Sequence, residues 1–106
     1  MKKNLININY CVLVLILLPF QNIKADDLFD KGKQIFLGDG NCATCHTLQE
    51  ANSYGNIGPN LDEIKPDIMR IISAVTNGIG VMPAYEGQLS KKEIKAVATY
   101  VAESTN

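Results

Sequence analysis

Three residues in the middle of the chain have types and a spacing that suit metal and thiol chemistry. Cys42, Cys45 and His46 belong to the stretch "CATCH", and His46 is the only histidine in the sequence. The pattern C-x-x-C-H is the attachment signature of c-type haem. Cysteines at positions i and i+3 project from one side of a helical turn, where their thiols reach two vinyl groups on one edge of a porphyrin, and the next residue can bind the iron. The stretch predicts one covalently bound haem c, with His46 as an axial iron ligand.

Three other chemistries use the same residue types. A thiol oxidoreductase places C-x-x-C after a strand in a βαβ unit, and neither is visible. A structural zinc site needs four ligands, whereas Cys42, Cys45 and His46 are the only cysteines and histidine beyond residue 25. A disulfide between the two thiols would close a very small loop and stabilise little. The adjacent histidine favours haem, and a thiol–disulfide domain without haem is the alternative.

The second axial position of the iron needs a separate ligand. A second histidine from this chain is excluded, so methionine, a rarer ligand or no ligand remains. Met82 lies 36 residues beyond His46 in a loop that contains Gly80 and Pro83, whereas Met69 lies on a predicted helix. A methionine on a helix usually fills the core, and a loop can carry a thioether over the haem. We predict Met82 as the second ligand, which raises the reduction potential.

The occupancy of that second position decides between two functions. With both axial positions filled, no substrate reaches the iron, and one-electron exchange through the exposed haem edge is the chemistry that remains. This arrangement predicts an electron carrier and not an enzyme. If Met82 does not bind the iron, a five-coordinate haem protein that binds a gas or peroxide is the alternative.

The first 25 residues have the pattern of a secretory signal peptide. Lys2 and Lys3 form a charged start, residues 10–20 form an apolar stretch, and Ala25 suits the last position before cleavage. The 11 apolar residues are fewer than the roughly 20 that a helix needs to span a bilayer. We therefore predict a signal peptide at 1–25 and one domain at 26–106. That domain is expected in the periplasm, or in the thylakoid lumen of a plastid-derived protein, with no membrane attachment after cleavage.

The charge of the predicted domain limits its partners. Beyond Ala25 the chain has seven basic and eleven acidic residues, a net charge near −4. This balance argues against nucleic-acid binding and favours a partner with a basic surface. Lys91, Lys92 and Lys95 form a basic cluster, which we interpret as a solvated helix face.

Three helices are predicted to position these residues, and no strand of useful length is visible. The first covers 27–37, the second begins with Pro66 in its first turn, and the third follows a capping box formed by Ser90 and Glu93. Gly32 in the first helix costs about 1 kcal/mol relative to alanine, and it marks either a close helix crossing or chance. Each predicted helix has an apolar face: Leu28, Phe29, Ile35 and Phe36 on the first, Ile68, Ile71, Ile72 and Val75 on the second, and Ile94, Val97, Ala98 and Val101 on the third.

Four stretches in fixed order carry a resemblance to a known family. "GNCATCH", "GNIGPNL", "NGIGVMPAY" and "ATYVAE" together resemble the class I monohaem cytochromes c. The resemblance implies an all-α fold, a small helical domain around one covalently bound haem, in which the first and last helices cross. It implies that Gly32 and Phe36 meet Tyr100 at that crossing. It also implies that the carbonyl of Pro59 accepts a hydrogen bond from the second ring nitrogen of His46.

The stretch from "GNIGPNL" to "MPAY" is also similar to small cytochrome subunits or partners of periplasmic dehydrogenases, sulfite-oxidising ones among them. Its long loop "GPNLDEIKPD" differs from algal and cyanobacterial photosynthetic cytochromes c. The resemblance implies redox proteins as partners, a dehydrogenase, reductase or oxidase, met through transient contacts. A monomer or a small subunit of a dehydrogenase is expected.

Overall fold

The computed structural model describes residues 25–106, so the predicted signal peptide lies outside the described residues except for its last position. The described part is mainly helical, as predicted, with one small hairpin. No helix in this part is long and apolar enough to cross a membrane. The elements in chain order are α1 (Ala25–Leu37), a 3₁₀ turn (Cys42–Thr44), β1 (Thr47–Leu48), a second 3₁₀ turn (Gln49–Ala51), β2 (Ser53–Tyr54), α2 (Leu61–Ile64), α3 (Ile68–Asn77) and α4 (Lys91–Ser104).

Helices α1 and α4 cross in close contact at Gly32. A β-carbon at Gly32 would collide with the carbonyl oxygen of Ala96 and lie 2.6 Å from Cβ of Tyr100. The rings of Phe29 and Phe36 meet the Tyr100 ring edge-on, with centroids 4.9 and 5.6 Å away. The predicted close crossing is therefore confirmed, and the packing that it permits offsets the low helix propensity of glycine.

The apolar face of α4 is buried as predicted, and that of α3 is partly so. Ile71 and Val75 are buried in the core, and Ile68 and Ile72 pack against it half-buried. Met69 is 69% exposed, so the prediction that it fills the core is wrong. It lies one residue beyond Ile68 on the helix, and the 100° rotation turns it away from the core.

The start of α3 differs from the prediction by two residues. The side chain of Asp67 caps the helix, because its Oδ1 accepts a hydrogen bond from the backbone N–H of Arg70 at 2.9 Å. Helix α3 begins at Ile68, so Pro66 precedes the cap and is not in the first turn. The capping carboxylate of Asp67 satisfies a free N–H group of the first turn and so sets where α3 begins.

Helix α2 was not predicted from the sequence. Asn60 caps it by accepting a hydrogen bond from the N–H of Asp62 at 3.0 Å, and Lys65 ends it in the left-handed region with φ 45°. A helix of four residues shows no apolar periodicity, which explains why the pattern missed it. The turn nevertheless directs Leu61 and Ile64 toward the cavity described below.

A hydrogen-bonded cluster joins three separate elements. The hydroxyl of Tyr100 on α4 donates to Oε1 of Glu50 at 2.7 Å, and Nζ of Lys33 on α1 lies 3.0 Å from the same oxygen. These hydrogen bonds, the one from Tyr100 first, lower the pKa of Glu50. Burial and the Glu50 carboxylate raise the pKa of Tyr100. The cluster ties both long helices to the 3₁₀ turn after β1.

The contact at Gly32 predicts the effect of adding one methyl group. Gly32→Ala is expected to destabilise the protein by about 1–3 kcal/mol because the helices must separate, although alanine is the better helix former. Urea unfolding of the purified protein measures the change. Gln34→Ala, an exposed position on the same helix, is the control and is expected to leave stability unchanged or slightly higher; equal stability of the two variants would contradict the close crossing.

The Tyr100 cluster predicts a stability difference that depends on pH. Tyr100→Phe is expected to cost about 1–3 kcal/mol near neutral pH, because the donor to a charged carboxylate is lost. A lowered carboxyl pKa stabilises the fold above the ordinary glutamate pKa of about 4.3, and this contribution disappears as pH falls through the folded-state pKa. Urea titrations from neutral to acidic pH should show the variant and the parent converging. Tyr54→Phe, whose exposed hydroxyl bonds Asn52, is the control and should show no such trend.

Candidate cofactor site

The stretch "CATCH" forms a tight turn that places both thiols on one side. The N–H groups of Cys45 and His46 both donate to the carbonyl of Cys42, at 3.1 and 3.0 Å. Before the turn, Asn41 lies in the left-handed region, and its side chain accepts a hydrogen bond from the Thr44 hydroxyl at 2.6 Å. Residues three apart eclipse each other in a 3₁₀ turn. Cys42 and Cys45 accordingly line the same cavity, and no disulfide joins them.

The imidazole of His46 is held in one orientation. Its Nδ1 lies 2.7 Å from the carbonyl oxygen of Pro59, the contact that the family resemblance implies. A carbonyl only accepts, so Nδ1 carries the hydrogen, and Nε2 retains the lone pair that a metal ion would use. His46 also lines the cavity that the two thiols line.

Gly58 is a site residue that the sequence did not single out. A β-carbon there would lie 2.5 Å from Cε1 and 2.9 Å from Nδ1 of His46. Its N–H donates to the carbonyl of Cys45 at 2.8 Å, so the loop and the "CATCH" turn are joined directly. The sequence signal for this contact is the glycine directly before Pro59 in the stretch "GNIGPNL".

The small hairpin fixes the backbone that follows His46. The buried hydroxyl of Ser53 donates to the carbonyl of His46 at 3.0 Å and accepts from the N–H of Leu48 at 3.1 Å. Thr47 on β1 donates its hydroxyl to the carbonyl of Gly55 at 2.9 Å. Strands of two residues carry no alternating pattern, so this support could not be predicted from the sequence.

Met82 lines the same cavity as His46, whereas Met69 does not. The backbones of Met82 and Ile79 form a pair of hydrogen bonds. The N–H of Met82 donates to the carbonyl of Ile79 at 2.9 Å, and the N–H of Ile79 donates to the carbonyl of Met82 at 3.1 Å. Gly78 permits this pairing because its φ is +73° and an added β-carbon would lie 2.6 Å from the Met82 carbonyl oxygen. The loop therefore holds its methionine in a defined position through backbone contacts.

Tyr85 contributes a second contact that the sequence did not single out. Its hydroxyl donates to the carbonyl of Gly40 at 2.5 Å, which joins the Met82 loop to the chain two residues before the "CATCH" turn. Burial, with smaller contributions from Cys42 and Cys45, raises the pKa of Tyr85. The sequence signal for this contact is the tyrosine three positions beyond Met82, at the end of the stretch "NGIGVMPAY".

The Cys42 thiol lacks the features of a reactive thiol. Burial raises its pKa to about 11, so it stays protonated at neutral pH. Redox-active cysteines have a lowered pKa and an electropositive environment. The burial that raises the pKa of the Cys42 thiol therefore counts against the thiol oxidoreductase alternative.

The cavity has a volume of about 370 Å³ and a largely apolar wall. Arg70 is the only permanently charged side chain among the described lining residues. Two thiols, an imidazole with a free Nε2 and a thioether in an aliphatic setting fit an iron porphyrin that is attached through its vinyl groups. The aliphatic and aromatic wall includes Phe36, Leu61, Ile71, Val75, Val97 and Val101.

Comparison with known proteins gives consistent matches. Residues 27–101 match the family model described as cytochrome C oxidase, cbb3-type, subunit III. The chain is 39% identical over 75 residues to cytochrome c6 of Diacronema lutheri, covering 66% of this chain and 88% of that protein. It is 46% identical over 69 residues to the cbb3-type cytochrome c oxidase subunit FixP of Bradyrhizobium sp., covering 58% of this chain and 23% of that protein.

A solved structure is similar over almost its whole length. The crystal structure of the c-type cytochrome SorU from Sinorhizobium meliloti superposes with a TM-score of 0.72 at 51% sequence identity. The match covers 76% of this chain and 93% of that chain.

The contact between Gly58 and the imidazole predicts a local effect of one methyl group. Gly58→Ala is expected to tilt the His46 ring, weaken its hydrogen bond to Pro59 and cost about 1–3 kcal/mol of stability. The ¹H–¹⁵N signals of the ring report the tilt, and urea unfolding reports the stability.

Gly87→Ala provides the control for that variant. Gly87 has φ +87° and no neighbour within 4 Å of an added β-carbon, so alanine there introduces backbone strain of about 1 kcal/mol without touching His46. Unchanged ring signals in Gly58→Ala, or equal shifts in both variants, would show that Gly58 does not set the ring orientation.

Proposed function

The chain belongs to the class I monohaem cytochromes c, and from this premise we propose that it shuttles single electrons in the periplasm between a dehydrogenase or reductase and a terminal acceptor. Members of this family carry covalently bound haem c and transfer electrons, so this protein is a haem c electron carrier. When bound, the haem supplies a one-electron couple between Fe(II) and Fe(III). The proposed role is that of a respiratory carrier, with no substrate transformed and no enzymatic activity.

The observation that carries the proposal is the gathering of four side chains on one cavity. Cys42, Cys45, His46 and Met82 come from two distant segments and line the same apolar space. Cys42 and Cys45 would hold the haem, because the S–H bond of each thiol can add across one vinyl group. The aliphatic wall would exclude water from the bound group.

His46 and Met82 are the proposed axial ligands. Donation from Nδ1 to the Pro59 carbonyl leaves Nε2 for the iron and increases the basicity of the ring. The position of Met82 on the cavity, and the exposure of Met69 away from it, support Met82 as the second ligand. A filled second position leaves no site for a gas or peroxide, so these observations support a carrier over a five-coordinate haem protein.

The proposed cellular setting follows the proposed domain boundaries. We assign residues 1–25 to a cleaved signal peptide and 26–106 to the cytochrome domain, and the family match over 27–101 supports the second assignment. Similarity to an oxidase subunit supports an oxidase as acceptor. The similarity to a c-type cytochrome over 93% of its chain supports a small carrier or dehydrogenase subunit.

Replacement of each methionine tests the ligand assignment. The exported protein, produced with haem-maturation factors, is expected to show a c-type pyridine haemochrome and the far-red absorption of an iron–sulfur bond when oxidised. Met82→Ala should remove that band and lower the reduction potential, because the thioether that favours Fe(II) is lost. Met69→Ala is the matched control and should retain both properties.

Two results would contradict the proposal. A high-spin spectrum in the parent protein, with ready binding of carbon monoxide, would indicate a gas or peroxide site. Absence of a covalent haemochrome would contradict haem attachment and favour the alternative of a thiol–disulfide domain without haem.

A further inference from the structure

The hydroxyl of Tyr85 connects the two chain segments that supply the proposed iron ligands. It donates to the carbonyl of Gly40, 45 positions earlier in the chain. Residues 39–60 contain the "CATCH" turn, and residues 78–89 contain the methionine loop. Among the residues that the structure describes, the Tyr85 bond is the only hydrogen bond between these two segments. It therefore joins the two sides of the site directly.

The Gly40 end of this contact is fixed by its surroundings. Gly40 is buried, and its own N–H donates to the carbonyl of Ile35 in the last turn of α1 at 2.9 Å. A β-carbon at Gly40 would lie 2.8 Å from that carbonyl oxygen and 3.1 Å from Sγ of Cys42. The Gly40 backbone is consequently held against α1 and beside the first thiol. Within the described part of the chain, the Tyr85 hydroxyl is the one donor to the Gly40 carbonyl.

The Tyr85 end is held by backbone hydrogen bonds. Its N–H donates to the carbonyl of Val75 on α3 at 2.8 Å. Its carbonyl accepts from the N–H groups of Gln88 and Leu89, both at 2.9 Å. These bonds attach the base of the methionine loop to α3. The Tyr85 side chain therefore connects α3 with the chain that precedes the "CATCH" turn.

The hydrogen bonds of the loop tip define its shape but not its distance from His46. Met82 and Ile79 bond each other, and this pairing stays within the loop. Loops open locally at a lower cost in free energy than the helices around them. An opening that carries Met82 away from His46 also pulls Tyr85 away from Gly40, because Tyr85 follows Met82 by three residues. The contact that opposes such an opening is the Tyr85 hydrogen bond.

We propose that Tyr85 is a positioning residue for the second axial ligand: its hydrogen bond to Gly40 keeps the methionine loop closed and thereby keeps small external ligands from the iron. The inference rests on the proposed ligation by His46 and Met82, and it adds a residue that acts through Met82. A hydrogen bond that is present only in the closed loop lowers the population of the open loop. The apparent affinity of a ligand that needs the open loop falls by the same factor.

Displacement of Met82 by imidazole tests this role in the oxidised holoprotein. The far-red band of the iron–sulfur bond disappears as imidazole binds, and at high imidazole concentration the binding rate approaches the rate at which Met82 leaves. Tyr85→Phe keeps the ring and removes the hydroxyl, so the Gly40 carbonyl loses its donor. The variant is expected to bind imidazole with an apparent dissociation constant about tenfold lower than that of the parent, and with a higher limiting rate.

Tyr100→Phe is the matched control for this experiment. It also removes a tyrosine hydroxyl that bonds a residue distant in the chain, Glu50, and it is expected to destabilise the whole domain. Tyr100 is not among the described residues that line the cavity. Imidazole binding should therefore be unchanged in this variant, while urea unfolding records its lower stability. The comparison separates an effect on the methionine loop from a general loss of stability.

Two outcomes would overturn the role of Tyr85 and leave the carrier intact: unchanged imidazole binding in Tyr85→Phe, or an equal increase in both variants. If Tyr85→Phe does not fold with haem, the parent protein decides the question. Its Tyr85 hydroxyl proton should give a slowly exchanging NMR signal in the reduced state, and absence of that signal would contradict the proposal. A parent protein without the far-red band would contradict the methionine ligation, and the role of Tyr85 would fall with it.

Discussion

The contact between α1 and α4 at Gly32 is the constraint on which the rest of the structure depends. Because the backbone of one helix touches the other there, the Phe36 ring reaches Tyr100. Val97 and Val101, each one residue beyond the contact residues Ala96 and Tyr100, then line the cavity. The same crossing brings the Tyr100 hydroxyl to Glu50, so the helix pair also positions the turn that follows β1. A small domain has few long helices, and here one close crossing orients both the core and the site.

The site is assembled from short contacts between loops rather than from long elements. Gly58 gives the His46 ring its space, Pro59 fixes its tautomer, and Ser53 holds its carbonyl. Tyr85 then joins the Met82 loop to Gly40, two residues before the "CATCH" turn. The hydrogen bonds of Ser53 and Tyr85 also satisfy partly buried carbonyl groups, which are costly to leave without a partner. The loops are therefore defined by hydrogen bonds, although they contain almost no regular secondary structure.

The sequence predicted the parts of this arrangement that depend on local chemistry. The Ser90–Glu93 capping box follows from residue type and spacing, whereas the α1–α4 crossing is what the family resemblance implies, and the structure has both. The hairpin, α2 and the Tyr85 contact were missed because elements of two to four residues have no periodicity, and contacts between distant loops leave no spacing to read. Met69 was misjudged for a related reason, since the direction of one side chain depends on where the helix meets its neighbours.

The core and the cavity wall share several residues, and this links folding to the bound group. Phe36, Leu61, Ile71, Val75 and Val101 are buried in the core and also line the cavity. A domain of about 80 residues buries little apolar surface, and chains of this size usually need a cofactor, a metal or a disulfide for stability. A planar apolar group against this wall removes the remaining aliphatic surface from water and extends the core from inside. Attachment through Cys42 and Cys45, as proposed above, would make that contribution permanent, so the feature that would fit the domain for electron transfer would also complete its hydrophobic core.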